Sequence, residues 1–527
     1  MPRFLAGPLA VSLALSVGAQ DLPRTIPESS DYARTSKAAD VAEFLEKLPE
    51  LPHGKRIQTR VAGKSHEDRD LLLVRAALPD IDEEAAIRLL VIANIHAGEV
   101  EGKEAVQELL REIASGEHAA LVQDAVLYFV PIYNVDGNER INSRNRRQQN
   151  GPEAVGQRAN AQGFDLNRDF VKAEAPETQT LLRLMRELDP HVFMDLHTTD
   201  GSWHGYHLTY APSLSTNQDA EIAELSRQLL DETTESLDRG EPSFQIFDYG
   251  NFQTRDWDGG GAPESIKGKR GWWSYDHRPR YGINYFGLRN RIGILSEAYS
   301  NCDFATRIAV TKAFVLGILR AATEHKASIK AACAAADQRV SSPEEPVAFG
   351  FDTEFAAPEM LPVLVGDCER VPYPDGRGAR FVRKPVATAE TMPVFRRFRS
   401  EQQRPLPVGW ALPNPPPAVV EVLRHHGIQS EILQTPREVT AEVFAVEKKR
   451  KPKRPVQGHQ ELFLTGSWEN PRVRELTAGT LWVPATQPLG RLCAQLLEPE
   501  SEDSLSSWNF LEEQTDAHYP VLRVLAQ

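Results

Sequence analysis

The 527-residue chain predicts an α/β layered domain with a largely buried sheet, followed by a smaller strand-bearing region. Three observations carry this. From about residue 60 to 335, apolar runs alternate with amphipathic stretches, as strands and helices do when they stack in layers. The runs are uninterrupted and rich in branched residues, as in strands covered on both faces. Near residue 338 the sequence turns polar and proline-bearing.

Each element has its own signal. Arg88–Ile95 (RLLVIANI) reads as a buried strand. The stretch 102–114 places Val106, Leu109, Leu110 and Ile113 on one helical stripe. Ala125–Ile132 is a second strand, and Pro176–Leu188 a helix with proline in its first turn. Val192–Leu196 and Ile292–Leu295 are further strands, and 305 to about 335 is one long helical pattern. We therefore expect a first domain over 40–335, a linker over 336–360 and an accessory domain over 361–527. The last has prolines at 405, 407, 413 and 415–417 and a helix over 418–428 that Gly427 would cap. The basic block Lys448–Arg454 reads as a solvated loop.

The net charge is -14, from 60 Lys+Arg against 74 Asp+Glu. Such an acidic balance argues against a nucleic-acid partner, which would call for a basic face. Met1–Arg3 is positive, Phe4–Val17 is apolar without charge, and Val17-Gly18-Ala19 is small. That is the pattern of a secretory signal peptide over 1–19. Its apolar run falls short of the ~20 residues a span needs. The expectation is export to the periplasm or the outside, with no stable membrane insertion. Cys302, Cys333, Cys368 and Cys493 are widely spaced, with no CxxC pair to make a cysteine zinc site.

Four segments carry chemistry. His96-Ala-Gly-Glu99 directly follows a strand, and imidazole and carboxylate both suit zinc. With 14 His and 74 acidic residues, about two H-x-x-[DE] pairs arise by chance, so position matters more than pattern. Strand ends of an open α/β sheet are where sites collect. Asp195-Leu-His197 ends another strand and would complete a set of two histidines and one carboxylate. Three protein ligands leave a fourth position for water. In Gly163–Asp169 (GFDLNRD), Asn167 and Arg168 form a good clamp for a carboxylate. Arg140, Arg144, Arg146, Arg147 and Arg158 lie just upstream, after the tight-turn signal Asn134-Val-Asp-Gly137. Glu297 ends the apolar strand Ile292–Leu295, where a carboxylate is either partnered or held for proton transfer. The aromatic, glycine-rich stretch 256–287 could fold over a site as a lid.

In this order (HAGE, NVDG, GFDLNRD, DLH, LSEA) the chain resembles the zinc metallocarboxypeptidases, the relatives of carboxypeptidase A, from about residue 40 to 335. The resemblance implies a mixed eight-stranded sheet flanked by helices, and one zinc ion on His96, Glu99 and His197. It implies that Glu297 is the catalytic carboxylate and that Asn167 and Arg168 grip a free C-terminal carboxylate. Asp165 would orient a zinc-binding histidine. Arg158 would polarise the scissile carbonyl, with Arg146 as its competitor. Tyr275 would close over substrate, with Tyr281 and Tyr285 as alternatives. Gly98 stands where the best-known members carry a substrate-binding arginine. The segments Val483–Leu492 and Leu497–Phe510 resemble the tail of large bacterial exported members. The implied partner is a peptide or protein with a free C-terminus. Two other functions fit the same residues: a zinc amidohydrolase acting on cell-wall peptides or acylated amino acids, and a non-catalytic secreted binding protein.

Overall fold

The structure, a computed structural model, describes residues 22–199, 201–252, 262–266 and 269–526. The expected signal segment and part of the expected lid lie outside these residues. The first half is built on a mixed eight-stranded sheet. Its strands are β1 (Ile57–Lys64), β2 (Asp70–Ala76), β3 (Ile87–Ala93), β4 (Ala125–Val130), β5 (Val192–Thr199), β6 (Leu208–Pro212) and β7 (Ile246–Asp248). After the two-residue β8 (Trp272–Trp273), the sheet is completed by β9 (Ile292–Tyr299), in the order β1-β2-β4-β3-β5-β9-β6-β7. Pairing is parallel through β4, β3, β5 and β9, and antiparallel at β1–β2, β2–β4 and β9–β6.

The sequence explains these strands. All eight residues of β5 and all six of β4 are buried, as parallel strands covered on both faces must be. Helix Glu101–Ser115 stops at Gly116, whose φ of 101° closes the last turn. Helices Glu101–Ser115 and Ala220–Asp238 both pack on Phe304–Glu324. Helix Pro176–Leu188 packs against β1 and against the C-terminal helix Pro417–His426.

Several expectations need correction. Strand β5 continues to Thr199. The helical pattern from residue 305 is two helices, Phe304–Glu324 and Lys326–Ser341, meeting at His325. The expected linker is structured at both ends. Its start is helical to Ser341, and Ala348–Phe355 is a strand paired with Phe398–Pro405. The start of the basic block is also strand, since Phe444–Arg450 pairs with Phe463–Trp468. For the strands Ala348–Phe355 and Phe444–Arg450, a partner distant in sequence overrides local polarity.

The C-terminal region contains a six-stranded sheet and is locked onto the first half rather than hung from it. Strand Thr388–Phe395 pairs with β8, and one apolar cluster runs from Leu90 through Tyr285 to Trp410, Trp508 and Tyr519. The four cysteines are buried and unpaired. Among the described residues, no helix is long and apolar enough to cross a membrane.

Candidate active site

The sheet order places a crevice between β3 and β5. The connection after β3 leads to β4 on one side, and β5 lies on the other. The loops beyond the carboxyl ends of such strands diverge and leave room for a ligand. Asn94, just past β3, has φ 64°, a conformation asparagine tolerates. It turns the chain so that His96 and Glu99 face β5, and its side-chain amide donates to the Glu99 carbonyl at 3.0 Å. Asn134 of the NVDG turn braces the same loop. Its amide donates to the carbonyls of Ile95 (3.2 Å) and Arg158 (3.0 Å).

Both histidines turn Nδ1 to a common centre. His96 Nδ1 lies 3.1 Å from Glu99 Oε1, and His197 Nδ1 lies 2.9 Å from Glu99 Oε2. The two Nδ1 atoms are 3.2 Å apart. Each ring's Nε2 meets a carboxylate, Asp165 Oδ1 at 2.9 Å for His96 and Asp195 Oδ2 at 2.8 Å for His197, the latter contact off the N–H axis. Carboxylates in that place fix a ligand histidine's tautomer and orientation. The three groups can hold a metal ion, and two imidazoles plus one carboxylate, each buried, is a donor set that fits zinc.

The wall continues from these ligands. Residues of β5 and β9 pair in register, so Glu297 stands beside His197. Arg146 donates to Glu99 Oε1 and to the Thr198 carbonyl, both at 2.9 Å. Gly98 leaves the room this needs, since a Cβ there would lie 2.8 Å from Arg146 Cδ. Arg158 donates to Asp165 Oδ2 from Nε (3.0 Å) and Nη2 (2.8 Å). Asp165 caps the short turn Leu166–Arg168, its Oδ1 accepting from Asn167 N at 3.0 Å. Asn167 Oδ1 in turn accepts from Gly282 N at 2.9 Å. Arg168 lies over the Tyr281 ring, 4.0 Å from its centroid. Tyr275 packs edge-on between Tyr249 and Tyr281.

Together these residues line a cavity of about 330 Å³, with Thr199, Ile283 and Leu295 completing it. Every sequence-predicted site residue lines this cavity except Asp165, which lies behind His96. Tyr285 is elsewhere, its hydroxyl bonded to His426. Sequence reasoning missed Asp195 as the partner of His197. The two-residue period of a strand, which puts both side chains on one face, is the signal that could have found it.

Burial pushes the Glu99 carboxyl up, but His96, Arg146 and His197 outweigh it and hold it well below the usual range. Asp165 behaves likewise, with His96, Arg168 and Arg158 overriding burial. For His197 burial works downward, while Asp195 and Glu99 raise it well above the usual imidazole value. Burial, with Tyr281 and Glu297 nearby, pushes the Tyr275 phenol well up.

Residues 42–289 match the family model described as zinc carboxypeptidase. Over that segment the chain is similar to the zinc carboxypeptidases. The match takes in the three candidate ligands, Asp165, Asn167 and Arg168, and ends before Glu297. No curated protein matches the chain. Among solved structures it is similar to a metallo-carboxypeptidase from Pseudomonas aeruginosa in complex with (2-guanidinoethylmercapto)succinic acid. The identity is 19%, over 56% of this chain and 71% of that one, with a TM-score of 0.40. A metallo-carboxypeptidase from Burkholderia cenocepacia is 17% identical over 56% and 71%, with a TM-score of 0.41. Carboxypeptidase A from Helicoverpa armigera is 12% identical over 56% and 75%, with a TM-score of 0.40.

Proposed function

We propose that the protein is an exported zinc exopeptidase that removes the C-terminal residue of peptides. The observation that carries this is one cavity lined by His96, Glu99 and His197, by Glu297, and by the Asn167–Arg168 pair. His96, Glu99 and His197 would hold one zinc ion, with Asp165 and Asp195 orienting the two imidazoles. Zinc in such a site supplies Lewis acidity and brings the pKa of a water toward neutrality.

The chain's own groups do the rest. Glu297 takes a proton from the attacking water and returns it to the leaving amine, a role that contributes about 10²–10⁴-fold. Arg158 stabilises charge gathering on the carbonyl oxygen, an effect of roughly 100-fold for one well-placed donor. Asn167 and Arg168 hold the free carboxylate, which an internal peptide bond cannot offer. Tyr275, with its neighbours Tyr249 and Tyr281, covers the bound terminus. Arg146 keeps Glu99 turned toward the ligand centre. Export rests on the positive, apolar and small-residue pattern of residues 1–19.

The test is hydrolysis of matched peptides that differ only in a free or amidated C-terminus, read by mass spectrometry with and without a chelator. Release of single C-terminal residues, abolished by chelator and by amidation, is expected. Equal cleavage of amidated peptides, or internal cleavage, would overturn the exopeptidase assignment. Turnover only of acylated amino acids or cell-wall peptides would move the protein to the amidohydrolases.

A further inference from the structure

The C-terminal region reaches the back of the metal site at one point. Residues 456–459 form a tight turn in which the backbone groups of Val456 and His459 bond each other at 2.8 and 2.9 Å. Both central residues have positive φ, 52° at Gln457 and 81° at Gly458. Turns of this type favour Asn-Gly or Gly-Gly, because a larger residue pays a conformational penalty at the first position. Gln457 bears that cost, and its side chain reaches out of the turn. Its Oε1 accepts a hydrogen bond from the backbone N–H of Asp165 at 2.8 Å, across 292 residues of sequence. The turn is pinned in place from both sides. His459 Nε2 lies 3.0 Å from each Glu174 oxygen, its Nδ1 lies 3.3 Å from Asn509 Oδ1, and Gly458 sits against Phe164.

Asp165 is where this contact matters. Its carboxylate accepts from His96 Nε2, Asn167 N and Arg158. Its backbone opens the turn that carries Asn167 and Arg168. Fixing one N–H there sets two things at once, the aim of the carboxylate behind His96 and the start of the pair proposed to bind the substrate terminus. We infer that Gln457 is a positioning residue for the metal centre, and that the C-terminal region serves the active site through it. Gln457 lines no part of the cavity and touches no reacting group. It acts through Asp165, and it can do so only if His96, Glu99 and His197 hold zinc, as proposed above.

Changes to groups that orient a ligand histidine cost about 10- to 100-fold in metal affinity. Gln457 acts one contact further out, so the expected loss is smaller, about fivefold on that scale. The experiment uses the full-length zinc-loaded protein. Gln457→Met keeps the length and removes the acceptor, and Gln457→Glu keeps the acceptor oxygen. Zinc affinity is measured by competition with a chromophoric chelator, and ligand geometry by the visible spectrum of the cobalt-substituted protein. Gln457→Met should weaken zinc about fivefold, shift the cobalt spectrum and raise KM, with the melting temperature of the metal-free protein little changed. Gln457→Glu should restore zinc affinity to within about twofold of wild type, since its oxygen can still orient Asp165. Gln457→Ala gives the same comparison should the methionine disturb folding. Wild-type zinc affinity and an unchanged cobalt spectrum in Gln457→Met would overturn the inference. So would equal losses in the Met and Glu variants, because the acceptor would then be irrelevant. A wild-type protein that binds no zinc would instead sink the metal assignment itself.

Discussion

Replacing Asp195 by Asn separates the metal site's geometry from its electrostatics. Asp195 is fully buried on β5, two residues before His197 on the same face, and its Oδ2 lies 2.8 Å from His197 Nε2. Neither oxygen meets hydrogen-bond geometry with any group among the described residues, so the close charge contact with the His197 ring is what engages the carboxylate. The amide has nearly the same shape but carries no charge. A hydrogen bond to a charged group is worth about 1.5–3 kcal/mol, against roughly 1 for a neutral one. The difference of about 0.5–2 kcal/mol corresponds to roughly 2- to 30-fold at 1.4 kcal/mol per decade. The amide's NH2 also finds no acceptor in this pocket, which adds about 1 kcal/mol. The sum predicts zinc binding about 10- to 100-fold weaker, the range seen when such partners are changed elsewhere. Chelator competition on the purified variant measures it directly, with melting of the metal-free form as the control for folding. Zinc affinity within about threefold of wild type, well below that range, would refute the idea that Asp195 orients His197 for a metal.

Three further outcomes follow from the same structure. Glu297→Gln should retain zinc and lose about 10²–10⁴-fold in kcat; turnover near wild type would remove Glu297 from the proton pathway. Arg168→Ala should raise KM for free-acid peptides by about 10- to 100-fold, the equivalent of one charge-assisted hydrogen bond, and an unchanged ratio between free-acid and amidated substrates would reject the clamp. Burial pushes His204 and His426 down to about 3, and His191 and His207 down to about 4, so the folded protein keeps them neutral where the unfolded chain, near 6.5, binds protons. Stability is then full above pH 6.5 and falls as pH drops toward 4, each histidine contributing up to about 1.4 kcal/mol per pH unit; denaturant midpoints that are flat between pH 7 and 5 would contradict this.

Much of the site was legible because the fold makes it so. Strands β3, β5 and β9 are long apolar runs, and His96, Glu99, His197 and Glu297 sit where those runs end. The zinc carboxypeptidase resemblance and the eight-stranded sheet follow from the same segments. What was not legible lacks a local signature. The helix break at His325 has no proline or glycine to mark it, because alanine-rich sequence continues on both sides. The strand Ala348–Phe355 reads as linker because its partner, Phe398–Pro405, comes some 50 residues later. Asp195 was hidden by its own position, since an acid inside an apolar strand draws less notice than the histidine after it. Gln457 could not be found at all, because nothing in a Gln-Gly turn announces a contact with Asp165.

That contrast has a physical basis. The candidate metal ligands sit on or next to the ends of parallel strands, and a sheet holds such positions rigidly through its own hydrogen bonds. The groups that would meet the substrate lie instead on irregular chain. Arg158, Asn167 and Arg168 come from the segment 140–175, and Tyr275 and Tyr281 from the approach to β9. Irregular chain is held only by what packs against it. Here the packing comes from the C-terminal region on both sides of the cavity. Trp508 lies between Lys172 and Arg280, with the cations 4.8 and 4.6 Å from its ring. His426 accepts at Nδ1 from the Tyr285 hydroxyl at 2.7 Å and donates from Nε2 to the Val171 carbonyl at 2.9 Å. Arg280 is further tied to Asp503 and Glu461. Both walls are therefore fastened to residues 426–508, as well as to each other through the Asn167–Gly282 hydrogen bond and the Arg168–Tyr281 contact. A segment cut from this chain near residue 341 would keep His96, Glu99 and His197 and lose the ties that residues 426–508 make to both walls.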